Sequence, residues 1–379
     1  MKSAINGDKI KKIAILGDGQ LSSMLAESVA DLPFKIDIIK LPNIDHHGKT
    51  DKNSINDMQK VLTSYDSITY EVENISVDLI EGSSIVDKVF PRVNILKVAQ
   101  DRLLEKEMFR SLNIETNNFV PIASEEDLFL AEKVLGLPFV LKTRRLGYDG
   151  KGQVVVKTAQ QIPLVWQEFS SLPLIAESFV HFDFEMSQVV SRDCRGNIVF
   201  YPLVRNEHRQ GILRETIVVP NSDSCLLETI QLYAKKIVTT FDYVGTFAME
   251  FFVKNNVPYA NEVAPRVHNS GHWSINASNV SQFRNHMLAV AAMPVEKVFP
   301  LHKYVTMINL IGEDIPDYQG SSPNVVVKSY NKKLQPGRKM GHINIFDSSK
   351  DIFLSNRAEI YNKISAKDPI SQEILKDII

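Results

Sequence analysis

Two glutamates lie in apolar stretches where a carboxylate is unexpected. Glu250 stands in Phe-Ala-Met-Glu-Phe-Phe-Val and Glu262 in Ala-Asn-Glu-Val-Ala, on two predicted strands joined by a polar turn at residues 254–256. A buried ionised carboxylate is costly unless a cation or hydrogen bonds compensate it. Mg²⁺ prefers oxygen ligands and commonly takes one or two carboxylates together with nucleotide phosphates. The pair therefore predicts a site for a metal-bound nucleotide.

The register of this hairpin decides whether the two glutamates can share a metal. A two-residue turn at Asn255 and Asn256 would pair Glu250 with Asn261 and send Glu262 to the opposite face of the sheet. Shared ligation needs a three-residue loop or a β-bulge. The alternative is that both are ordinary strand glutamates, one of them exposed.

A polar loop follows the second strand. Within a dozen residues it carries five side chains that suit oxyanions better than a packed core: Asn261, Arg266, His268, Asn269 and His272. Loops that are rich in Arg, His and Asn commonly bind anions.

A glycine-rich segment between two predicted strands, 139–142 and 154–156, is a candidate phosphate-binding flap. Gly147, Gly150 and Gly152 allow backbone N–H groups to approach phosphate oxygens, and Lys142 and Lys151 supply positive charge. The segment lacks the Gly-Lys-Ser/Thr of a P-loop. An ordinary hairpin loop is the alternative.

Two further turns carry weaker signals. Gly17-Asp18-Gly19 follows the first strand, but Ser22 occupies the third glycine position of a dinucleotide fingerprint, so a simple tight turn is favoured. Arg338 and Lys339 lie on a glycine-bounded turn that could grip a phosphate or merely face solvent.

Composition limits the class of protein. The chain has 379 residues, enough for two or three domains, and 44% of them are hydrophobic. Its net charge of −2, without a basic run, argues against a nucleic-acid partner. Two cysteines give no disulfide framework. The sequence contains no long uncharged apolar run, so we predict no membrane span. We therefore expect a cytoplasmic protein that is not exported.

The predicted elements suggest two kinds of architecture. The chain opens with an α/β strand-helix-strand unit, followed by a helix over residues 98–112. Antiparallel strands backed by helices at 225–241 and 282–292 then indicate an α+β region, and strands follow to about residue 346. We predict domains at 1–93, 94–295 and 296–379.

Three segments, residues 147–153, 261–273 and 336–342, resemble in order the signature segments of ATP-grasp enzymes. Within them the chain is similar to the 5-(carboxyamino)imidazole ribonucleotide synthetases. The resemblance implies an ATP-grasp fold with an N-terminal Rossmann-like pre-grasp domain and a small C-terminal β-rich module. It also implies a homodimer that uses ATP, Mg²⁺, bicarbonate and 5-aminoimidazole ribonucleotide, through carboxyphosphate.

Roles then follow for matching positions. Arg266, His268 and Asn269 would be catalytic and would hold bicarbonate, while Glu250 and Glu262 would hold Mg²⁺. ATP binding is implied for Arg102, Lys142, Gly147, Tyr148, Asp149, Gly150, Lys151, Gly152, Gln153, Glu177, Ser178, Phe179, Val180, Glu185, His208, Asn261 and Glu262. Binding of the ribonucleotide is implied for Glu73, Tyr148, Asp149, Lys151, His268, Arg338 and Lys339.

Two positions depart from the family pattern. Ser22-Ser23 stand where the family commonly has Gly-Arg, and Lys151 stands where some members have Arg. Three alternatives remain open: another ATP-grasp ligase or a formate-using transformylase, an inactive nucleotide-binding regulatory protein, and a dinucleotide oxidoreductase.

Overall fold

The computed structural model describes residues 10–42, 50–147, 150–219, 224–313 and 322–364. Within those ranges no helix is both long enough and apolar enough to cross a membrane.

The first part of the chain is a small α/β layer. It contains β1 (Lys11–Leu16), α1 (Gln20–Glu27), β2 (Phe34–Ile39), α2 (Lys52–Leu62) and β3 (Ser67–Tyr70). The strands form a parallel sheet in the order β2-β1-β3, which confirms the predicted strand-helix-strand opening. Helix α2 was not predicted, because only Ile55 and Leu62 of its side chains are buried and its apolar pattern is correspondingly weak.

The prediction of a single helix over residues 98–112 is wrong. The chain forms α3 (Val93–Ala99) and α4 (Arg102–Ser111), with a break at Gln100 and Asp101. Asp101 caps α4 by accepting a hydrogen bond from the Leu103 N–H at 3.0 Å, and its carboxylate also pairs with Arg144 at 2.7 Å. The break places Arg102 in the first turn of α4, beside Glu262 of the hairpin.

A second, four-stranded sheet carries the glycine-rich flap. It is built from β4 (Phe119–Ile122), α5 (Glu125–Leu135), β5 (Phe139–Thr143), β6 (Gln153–Val156), α6 (Ile162–Phe169) and β7 (Leu174–Ser178), in the strand order β4-β7-β5-β6. Ser124 and Asp127 form a capping box at the start of α5, and Gly136 ends the helix, as predicted.

The third and largest sheet begins with β8 (Phe184–Arg192), β9 (Ile198–Phe200), β10 (Val204–Arg209) and β11 (Ile212–Val218). After α7 (Ser224–Thr240) come β12 (Gly245–Lys254) and β13 (Val257–Ala264), then α8 (Ser274–Ala277) and α9 (Gln282–Val290). The chain continues with β14 (Tyr304–Ile311), β15 (Val325–Ser329), β16 (Lys339–Asp347) and α10 (Lys350–Lys363).

These strands form one sheet of nine in the order β13-β12-β8-β10-β11-β14-β16-β15, with β9 paired to β8. The core below it packs α7 against β8 and β12 through residues such as Ile230, Val238, Phe247 and Phe251. The three C-terminal strands therefore extend the sheet that carries the hairpin.

Candidate active site

A cavity of about 580 Å³ lies where the three sheets meet. Most of the predicted site residues line it: Glu73, Arg102, Lys142, Gly147, Gly150, Gln153, Glu185, His208, Glu250, Asn261, Glu262, Arg266, His268, Asn269 and Lys339. Polar side chains more than 150 residues apart in the sequence thus face one space.

Other predicted site residues lie outside this lining: Lys151, Gly152, Glu177, Ser178, Phe179, Val180 and Arg338. Glu177 is buried behind the cavity, where its carboxylate accepts from Lys142 Nζ at 3.1 Å and Asn117 Nδ2 at 3.0 Å. Burial alone would raise the pKa of Glu177, but Lys106 and Lys142 outweigh it and hold the pKa well below its ordinary value. Tyr148 and Asp149 fall outside the described residues.

The hairpin combines a two-residue turn with a bulge. Lys254 pairs with Val257 across Asn255 and Asn256, both of which have positive φ, as in a tight hairpin turn. Phe251 pairs with Ala260, but Glu250 pairs with Glu262, so Asn261 is the extra residue of a bulge. The bulge predicted as one of two solutions is therefore present, and both carboxylates lie on one face.

The facing carboxylates are electrostatically unfavourable without a counter-ion. Burial and then the charge of Glu262 raise the pKa of Glu250 to about 7. Arg102 Nη1 lies 3.3 Å from Glu262, and His268 Nε2 lies 3.4 Å from Glu250.

The residues fit a hard divalent cation that is completed by phosphate oxygens. The buried Oδ1 of Asn261, the bulge residue that precedes Glu262, has no hydrogen-bond partner. No group of three or more His, Cys, Asp or Glu side chains surrounds a common point in the described part of the chain. Two carboxylates and an open side are what Mg²⁺ uses together with a nucleotide.

His268 and Asn269 form the polar end of the cavity. His268 Nδ1 accepts from the Ser270 N–H at 3.3 Å, which leaves the ring proton on Nε2. Burial, with the charges of Arg266 and Lys339, lowers the pKa of His268 to about 3, so the ring is neutral at physiological pH. Both side-chain polar atoms of Asn269 are buried without partners beside the cavity.

Arg266 joins this loop to the N-terminal layer. Its guanidinium forms a two-contact ion pair with Glu73, with Nη2 and Oε1 at 3.1 Å. Burial would raise the pKa of Glu73, but the charge and hydrogen bonds of Arg266 outweigh it and lower the pKa to about 2.

A second charged pair lies on the neighbouring strands β8 and β10. His208 Nδ1 is 3.0 Å from Glu185 Oε2. Burial would lower the pKa of His208, but the hydrogen bond to Glu185 and the charge of Glu250 raise it to about 9. His208 is therefore a cation at the cavity wall, whereas His268 is neutral.

The flap packs on the turn between β10 and β11. Gly150 has φ +76°, and a Cβ there would lie 3.2 Å from Gln210 O and from Gly211 Cα. A Cβ on Gly152 would lie 2.6 Å from Thr143 Oγ1. Both glycines are thus required by positive φ and by close contact.

Gly17 and Gly19 make room for a carboxylate of the protein itself. The N–H groups of Gly19 and Ser22 donate to Glu71, the latter at 2.8 Å, at the start of α1. A Cβ on Gly19 would lie 2.5 Å from Glu71 Oε1. The Glu71 carboxylate therefore occupies the start of α1, the place where the helix of a dinucleotide fingerprint would bind pyrophosphate.

Sequence reasoning missed two residues that shape the site. Lys332 donates from Nζ to Gln20 Oε1, and its pKa is lowered by burial and by nearby Arg338 and Lys339. Gln282 holds the backbone of His268 from both sides, accepting from its N–H at 2.9 Å and donating to its C=O at 2.6 Å. No local pattern marks Lys332 or Gln282, since each acts on residues distant in sequence. The sequence marks Glu71 as an acid at the end of a predicted strand, but its role in filling the start of α1 was not predicted.

Comparisons with known proteins agree with this geometry. Three family models match: a ribonucleotide synthetase preATP-grasp domain at residues 10–100, an ATP-grasp domain at 107–283, and a phosphoribosylaminoimidazole carboxylase C-terminal domain at 305–356.

Curated relatives match over nearly the whole chain. The N5-carboxyaminoimidazole ribonucleotide synthase of Pseudomonas aeruginosa is 35% identical over 94% of this chain and 100% of the relative. The N5-carboxyaminoimidazole ribonucleotide synthase of Staphylococcus haemolyticus is 36% identical over 92% of this chain and 96% of the relative.

Solved structures agree. The Thermus thermophilus N5-carboxyaminoimidazole ribonucleotide synthetase has a TM-score of 0.85 at 33% identity, covering 94% of this chain and 100% of that one. The Staphylococcus aureus N5-carboxyaminoimidazole synthetase complexed with ADP has a TM-score of 0.81 at 31% identity. The match covers 95% of this chain and 100% of that one.

Proposed function

The chain belongs to the N5-carboxyaminoimidazole ribonucleotide synthase family of ATP-grasp ligases. We propose that the protein catalyses the carboxylation of 5-aminoimidazole ribonucleotide in this cavity. The reaction consumes ATP and bicarbonate and releases ADP and phosphate, in purine biosynthesis. The single observation that carries the proposal is the bulge that places Glu250 and Glu262 on one face, beside Arg266, His268 and Asn269.

Glu250 and Glu262 would hold Mg²⁺ together with the phosphates of ATP. When bound, the cation neutralises charge on the transferred phosphoryl group. Lys142 and the flap glycines would lie along the nucleotide, and cationic His208 would add positive charge at the same wall. Glu177 would act indirectly, by holding Lys142 from behind.

The loop after β13 would hold bicarbonate while it is phosphorylated. Arg266 supplies a fixed positive charge, and Asn269 offers one unpaired donor and one unpaired acceptor. Neutral His268 can donate from Nε2 without adding a second full charge. Bicarbonate is a poor electrophile, and phosphorylation supplies a leaving group, since attack by the amine then breaks the bond between carbon and the phosphate oxygen.

The acceptor would lie between the N-terminal layer and the C-terminal strands. Lys339 lines this end of the cavity, and burial, with the charges of Arg338 and Lys339, lowers the pKa of Lys332. We assign the ribonucleotide phosphate to Arg338 and Lys339, with Lys332 beside them. Glu73, Tyr148, Asp149 and Lys151 are the proposed contacts to the imidazole ribonucleotide.

Water must be excluded because carboxyphosphate would hydrolyse. The flap lies against the Gln210-Gly211 turn on the opposite wall of the cavity, so it can cover the reacting groups. The absence of a side chain at Gly150 permits that close approach.

The test is an ADP-release assay with each substrate omitted in turn. We expect release to require both 5-aminoimidazole ribonucleotide and bicarbonate, and formate to fail as a replacement. Release without the ribonucleotide would contradict the proposal, and activity with formate would favour a transformylase. No release under any condition would favour the regulatory alternative.

The homodimer and the cytoplasmic location remain predictions. Cys194 and Cys225 are both exposed, which suits a reducing compartment. Light scattering at micromolar concentration would measure the mass of the assembly and so check the dimer.

A further inference from the structure

The bulge at Asn261 lies on the edge strand of the large sheet. On its outer side, in the described part of the chain, the backbone partner is an isolated bridge to Thr116, where the Ala260 N–H donates to Glu115 O at 2.8 Å. Strand β13 pairs only with β12 in this sheet. Carbonyl and N–H groups on that outer edge must find other partners, because unpaired buried backbone groups are costly.

Helix α4 supplies those partners from two consecutive residues. Lys106 Nζ donates to the carbonyl oxygens of Asn261 at 2.9 Å and Ala260 at 3.2 Å. Glu105 Oε1 accepts from the Val263 N–H at 2.7 Å. The helix thus holds the backbone on both sides of Glu262.

The Lys106 ammonium is buried and fully engaged. Its side chain is 1% exposed, and Nζ also donates to Asn117 Oδ1 at 2.8 Å and Thr116 Oγ1 at 3.1 Å. Glu177 lies 3.5 Å away as a counter-charge. A lysine is seldom buried to this extent unless it is paired, so the position has a specific requirement for it.

Lys106 does not line the cavity, whereas Arg102 and Glu105 from the same helix do. It can therefore influence the reacting groups only through the residues that it holds. One route is through Ala260 and Asn261, where the extra bulge residue changes the register. The other is through Glu177, which holds Lys142 at the nucleotide wall.

We propose that Lys106 is a positioning residue for the metal site: its ammonium holds the bulged backbone of Ala260 and Asn261 in the register that turns Glu262 toward Glu250. Without that register Glu250 would pair with Asn261, and the side chain of Glu262 would point to the opposite face of the sheet. The inference rests on the metal site of the proposed function and extends it to a residue that touches neither substrate nor metal.

The test measures metal binding without turnover. Mn²⁺ affinity is determined by electron paramagnetic resonance in the presence of ADP, with no ribonucleotide or bicarbonate, for wild type and Lys106→Met. We expect at least about tenfold weaker Mn²⁺ binding in the variant, since residues that orient metal ligands typically affect affinity on this scale. ADP affinity without metal should change by a smaller factor.

Lys236→Met is the matched control. Lys236 Nζ likewise donates to two backbone carbonyls, of Leu112 at 2.9 Å and Asn113 at 3.0 Å, but beyond the far end of α4. We expect its Mn²⁺ affinity to stay within about twofold of wild type, as for substitutions remote from a site. Equal losses in both variants, or an equal loss of metal-free ADP affinity in Lys106→Met, would overturn the proposal.

If Lys106→Met does not fold, Thr116→Val decides the question. The Thr116 hydroxyl also donates to Ala260 O, at 2.7 Å, and valine keeps its shape without that bond. We expect Mn²⁺ affinity to fall by about threefold or more, roughly the effect of one hydrogen bond. Unchanged affinity would refute the positioning role. Wild-type protein that binds Mn²⁺ with ADP but lacks ribonucleotide-dependent ADP release would refute the carboxylase function alone.

Discussion

Glu250 and Glu262 lie opposite each other on β12 and β13, and burial together with the charge of Glu262 raises the pKa of Glu250. For Glu262→Gln we expect kcat for ADP release to fall by at least about 100-fold, because a neutral amide is a poor ligand for Mg²⁺. Folding should be nearly unchanged, since one of two repelling charges is removed. An unchanged rate would remove Glu262 from the metal site.

Glu228→Gln is the control for that experiment, because Glu228 is exposed on α7. Both variants are compared by steady-state ADP release and by urea unfolding. Equal rates in the two variants would contradict the assignment.

The Glu73–Arg266 pair predicts a dependence of stability on acid. The folded-state pKa of Glu73 is about 2, below its ordinary value, so the pair stabilises the fold above the unfolded-state pKa. That contribution is lost as the pH falls from about 4.5 through 2. Glu73→Gln should therefore lower the unfolding free energy at pH 7, and the deficit should shrink by pH 3.

The control for the acid experiment is Glu81→Gln. Glu81 pairs with Lys97 on the surface, where both side chains are exposed, and such pairs contribute little. Urea unfolding at pH 7, 5 and 3 measures both variants. A deficit for Glu73→Gln that is constant across this range would contradict the account.

At the scale of single elements, the glycine turn before α1 is explained by one buried carboxylate. Gly19→Ala should destabilise the protein by about 1–3 kcal/mol, because the new Cβ would collide with Glu71. The cost should largely vanish in a Glu71→Ala background, where the obstacle is gone. Thermal or urea unfolding of the four proteins measures this, and additive losses would show that the collision is not the cause.

The sequence predicted those elements whose stabilising interactions lie within a few residues of one another. The α5 cap at Ser124 and the strands around the flap were predicted because their signals lie within a few residues. The break between α3 and α4 was missed, because Asp101 is stabilised by Arg144, 43 residues further on. Helix α2 was missed because its buried face is too narrow to be visible.

The candidate site divides in the same way. Glu250 and Glu262 were predicted because acids in apolar strands are conspicuous, and most other site residues followed from the family resemblance. That hypothesis required either a three-residue loop or a bulge, and the sequence did not decide between them, since the bulge depends on Lys106, which is 155 residues from Asn261. Long-range partners of this kind leave no periodic signal in one sequence.

At the scale of the whole molecule, a buried cluster joins the last helix to the sheet. Arg357 on α10 forms two hydrogen bonds with Glu215 on β11, at 2.9 and 2.7 Å, and Glu215 is fully buried. We expect Arg357→Leu to destabilise the protein by about 3–5 kcal/mol, because the buried carboxylate keeps its hydrogen bonds from Thr306 and Tyr361 but loses its counter-charge.

The double variant Glu215→Leu/Arg357→Leu should recover much of that loss, since it removes both charges. Lys363→Leu is the control, because Lys363 pairs with Glu359 on the exposed face of α10. Urea unfolding compares the variants. An equal loss in the single and double variants would contradict the charge argument.

The domain boundaries predicted at residues 93 and 295 remain predictions. The pairing of β14 with β11 nevertheless has a practical consequence for anyone who wishes to divide the chain. A fragment ending after α9 would expose the side of β11 that β14 normally covers, as an open row of amide and carbonyl groups ready to recruit strands from other molecules. We expect that fragment to elute from gel filtration as large aggregates, which would show that the strands after α9 protect the rest of the chain from self-association.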